Sequence, residues 1–365
     1  MKRMIIELPP NRVRRSYKGG LQLDEFAGNP NPSDTDCPED WIASTILARN
    51  PGMPEIENEG LAHVTTHDGE TLLLRDLFEQ FPEHYLGKAH YQELGSQLGF
   101  LAKLLDASMR LHVQAHPTSQ FAQAHLGSRW GKLETYVILS VRDDCEGHLR
   151  LGFQNLKDIK NWNRIVFEQD IPAMDACFER IPVKAGEVWL VPGGVPHAIG
   201  EGLLVLEVME PSDLVVRCEF EREGIVVPPE GRFMGRDPAF AMTIFDHTNY
   251  SAEEIAEKCR IVPTMLHECP THSVESLIGP NHTDCFEIDR WTCRDLSRLT
   301  KDDSLHLCVV AEGKGTVTVQ DESIDLKQGS CFLIPSAANE ITISPRDVEH
   351  LTVLACKPGT AKLTE

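Results

Sequence analysis

Two stretches of the chain share one local pattern, and this internal repeat constrains the fold more than any other sequence feature. AGEVWLVPGGVPHAI (185–199) and QGSCFLIPSAANEIT (328–342) align without a gap, with a glycine and a proline in register. Each copy reads as a glycine turn, an apolar strand, a proline and a turn of small residues. The repeat predicts two related β-modules. The first copy has His197 at the position where the second has Glu340, so we expect a polar site in the first module only.

The rest of the chain adds further short strands and a few helices. After residue 280, short apolar segments separated by glycine turns recur in LHLCVVAEG, GTVTVQ, SIDLKQGSCFLIP, EITI and HLTVLAC, which is typical of a sandwich or barrel. Helical spacing of apolar residues appears in 70–81, around 155–180 and in SAEEIAEKCR. Residues 94–110 fit either a buried helix or an apolar strand.

We therefore expect a mainly β protein with added helices. Its first module covers residues 1–220 and carries N-terminal and inserted helical segments. A connecting loop and helix cover residues 221–265, and a second β-barrel covers residues 266–365. A chain of 365 residues is long enough for this division, since domains usually contain about 100–200 residues.

Charge and cysteine use exclude several classes of protein. The net charge of −21 argues against nucleic acid or an anionic membrane as a partner, because both are bound by clustered Lys and Arg. No apolar run approaches the roughly 20 residues that span a bilayer, and the N-terminal residues do not resemble a signal peptide. The eleven cysteines form no CxxC pair, so we expect reduced thiols in a cytoplasmic protein.

The stretch LHVQAHPTSQ places polar residues at alternate positions. In a strand, His112, Gln114 and His116 would lie in a row on one face, with Val113 and Ala115 on the other. An unpaired buried polar group costs about 1–3 kcal/mol, so such a row on a buried face requires a partner. Ordered water, a hydrogen-bond network and a metal ion are the three alternatives.

Two further residues extend this row into a possible divalent-metal site. Glu134 enters the apolar segment WGKLETYVIL, and His197 lies in the Pro/Gly turn of the first repeat copy. Together with Gln114 and His116 they offer a mixed nitrogen and oxygen ligand set, which suits zinc. The local pattern fits a satisfied polar network or a surface-facing strand equally well.

Longer motifs carry a family resemblance. LAKLLDASMRLHVQAHP, GKLETYVIL and AGEVWLVPGGVPHAIGEGLLVLEVMEPSDLVVR occur in the order and approximate spacing of the type I mannose-6-phosphate isomerases, which this chain resembles. EDWIAST and the C-terminal strands extend the resemblance more weakly. It implies a cupin, or jelly-roll, catalytic module and a second, degenerate cupin-like barrel without metal ligands. It also implies one zinc ion per chain, bound by Gln114, His116, Glu134 and His197.

The same resemblance implies roles around the metal. Arg217, Glu207 and Lys132 would be catalytic, with Glu207 as the first choice for the base that transfers the proton. Lys132, His112 and Asp213 would bind the substrate. Plainer interpretations also exist: Lys132 as a solvated lysine, Glu207 at a solvent-facing strand position, and Arg217 in an ion pair with an acidic neighbour.

The chain departs from the family at His112, where the family usually has a small hydroxyl residue. The larger ring would narrow the pocket, supply a second acid–base group or only fill space.

We expect the chain to interconvert mannose 6-phosphate and fructose 6-phosphate by C1/C2 proton transfer through an enediolate. The alternatives are an isomerase of another, possibly unphosphorylated, sugar and a non-catalytic sugar-binding or regulatory cupin. Six other histidines are expected at the surface without a role, namely His63, His67, His84, His90, His125 and His148.

Overall fold

The computed structural model describes residues 2–65 and 69–359. Its strands form four main sheets, two for each module. The large sheet of the first module contains, in hydrogen-bonded order, Arg260–Ile261, Val188–Val191, Glu134–Val141, Leu203–Met209, Leu101–Asp106, Glu39–Ile42 and Arg12–Val13. The small sheet of the first module contains Ile181–Pro182, His148–Leu151, His197–Ile199, Gln114–Ala115 and Val216–Arg217.

The second module repeats this plan with one large and one small sheet. Its large sheet contains, in order, Ile6–Leu8, Cys331–Ile334, His306–Glu312, Leu351–Pro358, Phe286–Cys293, His272–Ile278 and Thr264–Glu268. Its small sheet contains Ser297–Thr300, Glu340–Pro345, Lys314–Val319 and Glu322–Lys327. Two separate hairpins are formed by His63–Thr65 with Thr71–Leu73 and by Glu221–Arg222 with Ile225–Val226.

Helices fill the connections between the strands. The α-helices are Leu21–Ala27, Leu74–Gln80, Pro82–Tyr85, Lys88–Leu94, Ser119–Phe121, Ile159–Glu168, Ile171–Asp175, Pro238–Ala241 and Ala252–Cys259. Single turns of 3₁₀-helix cover Pro229–Gly231 and Met242–Ile244, and a π-helical turn covers Ala122–Leu126. Within the described ranges no helix has the length and apolar character needed to cross a membrane.

The two large sheets pack against each other, which makes the molecule four layers deep. Leu204 and Leu206 belong to the same apolar cluster as Phe286 and Leu307 of the second module. Leu204 and Leu206 belong to the strand Leu203–Met209, whose alternate residues point to the opposite face. Val205 on that face packs inside the first module. A strand between two cores is apolar on both faces, which explains why LLVLEVM is buried throughout.

The structure confirms the predicted repeat and the mainly β fold. Val188–Val191 and Cys331–Ile334 occupy the same positions in the gapless alignment. The turn before each strand makes the same bond in both copies: the N–H of Gly186 donates to the carbonyl of Ile138, and that of Gly329 donates to Val310. Both glycines have a positive φ, 88° and 81°, which favours a residue without a side chain.

Two strand pairings cross the predicted module boundaries. Ile6–Leu8 pairs with Cys331–Ile334 in the second module, and Arg260–Ile261 pairs with Val188–Val191 in the first. The N-terminal strand is therefore far in sequence from the sheet that it completes. The boundaries at residues 220 and 265 stay a prediction.

Some local expectations need correction or refinement. The segment 70–81 begins as the strand Thr71–Leu73, whose ladder to His63–Thr65 delays the helix until Leu74. His148 was expected at the surface, but it is 2% exposed because its strand lies inside the small sheet. His67 lies outside the described residues.

Candidate active site

Three side chains of the first module converge below a pocket. His116 follows the strand Gln114–Ala115, Glu134 is the first residue of Glu134–Val141, and His197 is the first residue of His197–Ile199. Gln114 and His197 are paired across the small sheet, which brings these strand ends together. One donor atom from each of the three side chains lies within 4.8 Å of the other two, and all three side chains are buried.

Hydrogen bonds fix which ring nitrogens face this centre. His116 Nδ1 lies 2.7 Å from the carbonyl oxygen of Leu214, and His197 Nδ1 lies 2.9 Å from that of Val195. A carbonyl oxygen only accepts, so each Nδ1 carries the proton and each neutral ring presents a lone pair at Nε2.

The Nε2 lone pairs of His116 and His197 face the carboxylate of Glu134, which is itself an acceptor and donates no hydrogen bond. His116 Nε2 is 3.0 Å from Glu134 Oε1, and His197 Nε2 is 3.4 Å from Glu134 Oε2. Neither Nε2 atom has a hydrogen-bond partner among the described residues. Three acceptors facing one another in a buried site repel, and a divalent cation between them removes that repulsion. The donor set therefore fits a metal such as zinc.

The protonation states agree with a metal-binding set. Burial and the neighbouring Lys132 together lower the pKa of His116 to about 4, so the ring is neutral at pH 7. Burial opposes ionisation of Glu134, but the positive charge of Lys132, 3.1 Å away, helps to hold its pKa well below the ordinary value. Tyr136 donates a 2.5 Å hydrogen bond to Glu134 Oε2 and orients the carboxylate.

Gln114 is the fourth residue that the sequence indicated. In the small sheet, Gln114 is paired with His197 on one neighbouring strand and with Arg217 on the other. Gln114 lines the pocket above the three buried donors. Val113 and Ala115, which alternate with it, are fully buried in the apolar core, as the two-residue periodicity predicts.

The pocket opens to solvent, and its empty space, open mouth included, is about 890 Å³. Five cationic side chains line it, namely Arg15, Arg49, Lys103, Lys132 and Arg217. The carboxylates on its wall are Glu39, Glu207 and Asp213. The wall is thus cationic although the chain as a whole has a net charge of −21. Such a local field favours an anionic ligand.

A row of paired charges forms one wall of the pocket. Lys103 Nζ lies 2.8 Å from Glu207 Oε2 and 3.6 Å from Glu39 Oε2. Glu39 also accepts hydrogen bonds from Arg15 Nε at 2.9 Å and Tyr17 OH at 2.6 Å. The strands bearing Lys103 and Glu207 are paired at these two residues, so the contact follows directly from the sheet register.

Glu207 differs from the other carboxylates in its ionisation. Burial, opposed by Lys103 and reinforced by the charge of Glu134, raises its pKa to about 8. A carboxyl group with a pKa near neutrality can both accept and return a proton at pH 7. Glu207 is buried, so it does not occupy a solvent-facing strand position.

The other predicted site residues lie at the same pocket. Lys132 is buried, with Nζ 3.1 Å from Glu134 Oε1, and it is not a solvated lysine. Arg217 Nη1 donates a 2.7 Å hydrogen bond to the carbonyl oxygen of Gly231. His112 and Asp213 line the wall. Burial lowers the pKa of His112, and its Nε2 atom has no hydrogen-bond partner among the described residues.

Sequence reasoning missed several residues of this wall, namely Arg15, Tyr17, Glu39, Arg49, Lys103 and Tyr136. One of them carried a signal: Lys103 is the only charged residue within FLAKLL, and a lysine inside a buried strand requires an anionic partner. The others lie on segments whose return to the pocket depends on long-range pairing.

Comparisons with known proteins find mannose-6-phosphate isomerases by both sequence and structure. A family model described as "Mannose-6-phosphate isomerase, cupin domain" matches residues 279–347. A mannose-6-phosphate isomerase from Bacillus subtilis (strain 168) is 25% identical over 291 residues, which cover 77% of this chain and 84% of that protein. The crystal structure of the mannose 6-phosphate isomerase from Bacillus subtilis superposes with a TM-score of 0.71 at 21% identity, covering 97% of this chain and 99% of that one.

A further solved structure is relevant to the metal. The crystal structure of a mannose 6-phosphate isomerase bound with zinc and yttrium has a TM-score of 0.70 at 16% identity, with 97% of this chain and 100% of that chain covered. The structural matches establish the cupin fold. Together with the curated relative and the family model, they confirm the family resemblance that the sequence motifs indicated.

Proposed function

We propose that this relative of the type I mannose-6-phosphate isomerases is itself a zinc-dependent aldose–ketose isomerase that interconverts mannose 6-phosphate and fructose 6-phosphate. One observation carries the proposal. The buried acceptors of His116, Glu134 and His197 converge on a point that suits a divalent cation, next to a pocket with a cationic wall. The named activity of the curated relative supports the choice of sugar phosphate.

The metal would be held by His116, Glu134 and His197, with Gln114 as the fourth ligand from the neighbouring strand position. When bound, zinc would act as a Lewis acid for the carbonyl and hydroxyl oxygens of the open-chain sugar. The remaining steps belong to the side chains of the pocket.

Glu207 is the proposed base. Isomerisation of the aldose removes the proton from C2, next to the C1 aldehyde, and leaves an enediolate. Glu207 takes that proton and returns it to C1, while the hydrogen of the C2 hydroxyl is lost and O1 gains one, so the atoms balance. A pKa of about 8 suits both halves of this transfer. Lys103, 2.8 Å away, holds the carboxyl group in place.

Lys132 supplies positive charge where the enediolate develops negative charge on oxygen, whereas Arg217 is a candidate for binding the phosphate. Lys132 is the nearer of the two to the metal ligands, because its Nζ contacts Glu134. Asp213 and His112 line the pocket and would bind sugar hydroxyl groups. The unpartnered Nε2 of His112 is suited to accept a hydrogen bond from such a hydroxyl.

A second candidate substrate is an unphosphorylated sugar. The observation that favours it is that several pocket cations already have a carboxylate partner: Arg15 pairs with Glu39, and Lys103 with Glu207. Paired cations attract a phosphate less strongly than unpaired ones. Arg217 and Arg49 have no ion pair with a carboxylate among the described residues and are therefore the main candidates for phosphate binding.

Two assays test the proposal, a coupled assay of fructose 6-phosphate formation from mannose 6-phosphate and an assay of fructose formation from mannose. Zinc-loaded and chelator-stripped protein are run in parallel in both. We expect turnover of mannose 6-phosphate that is lost on stripping and restored by zinc. Turnover of mannose alone would replace the first proposal by the second. Binding of either sugar without turnover by zinc-loaded protein would instead identify a non-catalytic, sugar-binding cupin.

A further inference from the structure

A second group of potential metal ligands lies in the other module. The strands Thr264–Glu268 and His272–Ile278 form a hairpin at the edge of the large sheet. Three side chains at its tip, His267, Cys269 and His272, each offer one donor atom within 4.8 Å of the other two. We call them the hairpin cluster.

The register of the hairpin explains why these side chains meet. A bulge after Met265 shifts the pairing, so that His267 lies opposite Val274. The N–H of Cys269 donates to the carbonyl of His272 at 2.9 Å and closes a two-residue turn. Residues directly opposite each other point to the same face, as do residues two apart. Both rules place the three members of the hairpin cluster on one face.

The turn is anchored on its inner side. The carbonyl oxygen of Thr271 accepts hydrogen bonds from the N–H of Arg294 at 2.7 Å and from Ser297 Oγ at 3.1 Å. His272 is largely buried, whereas His267 belongs to a strand that is exposed throughout. The hairpin cluster thus has a fixed base and an open side through which an ion could enter.

The distances between the side chains of the hairpin cluster suit a cation with tetrahedral coordination. Cys269 Sγ lies 3.3 Å from His272 Nδ1, and the rings of His267 and His272 have centroids 5.1 Å apart. Ligand atoms around tetrahedral zinc are separated by roughly 3.5 Å, from Zn–S and Zn–N bonds of about 2.3 and 2.0–2.1 Å. We propose that the hairpin cluster is a second metal site, with two nitrogen ligands and one sulfur ligand, for zinc or a similar transition-metal ion. A water molecule would fill the fourth position.

Sulfur makes this site distinguishable from the active site. His116, Glu134, His197 and Gln114 supply only nitrogen and oxygen, whereas Cys269 supplies a thiolate after it releases its proton to solvent. Cobalt(II) bound to a thiolate gives a charge-transfer absorption in the near ultraviolet. That band reports on the hairpin cluster alone, whether or not the proposed isomerase activity is found.

The experiment titrates metal-free full-length chain with cobalt(II) and measures this band, and it measures bound zinc per chain in parallel. We expect the band and two zinc ions in the unaltered chain, but no band and one zinc ion in Cys269→Ser and in His272→Ala. Cys37→Ser is the matched control, because Cys37 is another partly exposed thiol, and it should retain the band and both ions.

His116→Ala separates this inference from the active-site proposal, since it should lose one zinc ion and keep the charge-transfer band. Isomerase activity should persist in Cys269→Ser, and its thermal unfolding midpoint without metal should match that of the unaltered chain. The absence of the band in the unaltered chain, or its persistence in Cys269→Ser, would overturn the inference.

Discussion

The ion pair between Arg110 and Glu219 lies next to the strand that carries the proposed metal ligands, and its removal gives a quantitative test of the structure. Arg110 Nη1 and Nη2 donate to the two carboxylate oxygens of Glu219 at 2.9 and 3.0 Å. Glu219 also accepts the N–H of Val113 at 3.2 Å and Arg222 Nη1 at 3.1 Å. The side chains of the pair are 2% and 1% exposed, so the charges are removed from water.

Glu219→Gln keeps the volume of the side chain and removes its charge. Arg110 then stays buried with only Asp175, a more exposed carboxylate 3.7 Å away, as a counter-charge. Loss of one partner of a buried pair costs about 3–5 kcal/mol, and we expect a value at the lower end of that range. The matched control is Glu168→Gln. Glu168 pairs with Arg164 at 2.7 Å but at the surface, where such a pair contributes less than about 1 kcal/mol.

Urea unfolding at pH 7, followed by circular dichroism, measures both free energies of unfolding. The pH dependence gives a second check. Burial opposes ionisation of Glu219, but the hydrogen bonds and charge of Arg110 lower its pKa below 4.5 in the folded state. The stabilisation is therefore present above pH 4.5 and is lost as the pH falls through the folded pKa. A loss below about 1 kcal/mol in Glu219→Gln at pH 7 would refute this reasoning.

Three further predictions concern chemistry, substrate and pH. Glu207→Gln should lower kcat by about 10²- to 10⁴-fold in the coupled assay, while zinc content stays unchanged, because it removes the base but no ligand. Arg217→Met should raise KM for mannose 6-phosphate at least about tenfold, since a charge-assisted contact to phosphate is lost. Burial lowers the pKa of His306 from 6.5 to about 4, so thermal stability should fall as pH decreases from 6.5 to 4, because the unfolded chain binds the extra proton. His306→Asn should show a smaller decrease over the same range.

Each of these predictions has a contradicting result. Full kcat in Glu207→Gln would remove Glu207 from the proton transfer. An unchanged KM in Arg217→Met would place the phosphate elsewhere or favour the unphosphorylated sugar. An identical pH dependence in His306→Asn would mean that another group causes the acid sensitivity.

Local periodicity was sufficient to predict part of the site. The alternation around Gln114 and His116 holds because a strand fixes the face of each residue, whatever the rest of the chain does. The repeat located the glycine turn and strand before His197 for the same local reason. The gapless alignment pairs Glu340 with His197, and in the structure each of the two is the first residue of a strand.

Long-range pairing determines the remainder, and a single sequence does not specify it. Glu39 and Lys103 meet only because their strands are neighbours in the large sheet, and Arg15 arrives from an N-terminal loop. Ile6–Leu8 completes a sheet whose neighbouring strand begins more than 300 residues later. His148 was expected at the surface, and the pairing of its strand within the small sheet buries it.

The proposed isomerase activity requires one metal ion, held by His116, Glu134 and His197. The most direct measurement adds zinc stepwise to metal-free Cys269→Ser chain, in which the hairpin cluster has lost its thiolate, and follows fructose 6-phosphate formation. We expect activity that rises linearly and stops rising at one zinc ion per chain, and no activity at any zinc concentration when His116→Ala is added. Full activity of the metal-free chain, or of the His116→Ala double variant, would contradict it.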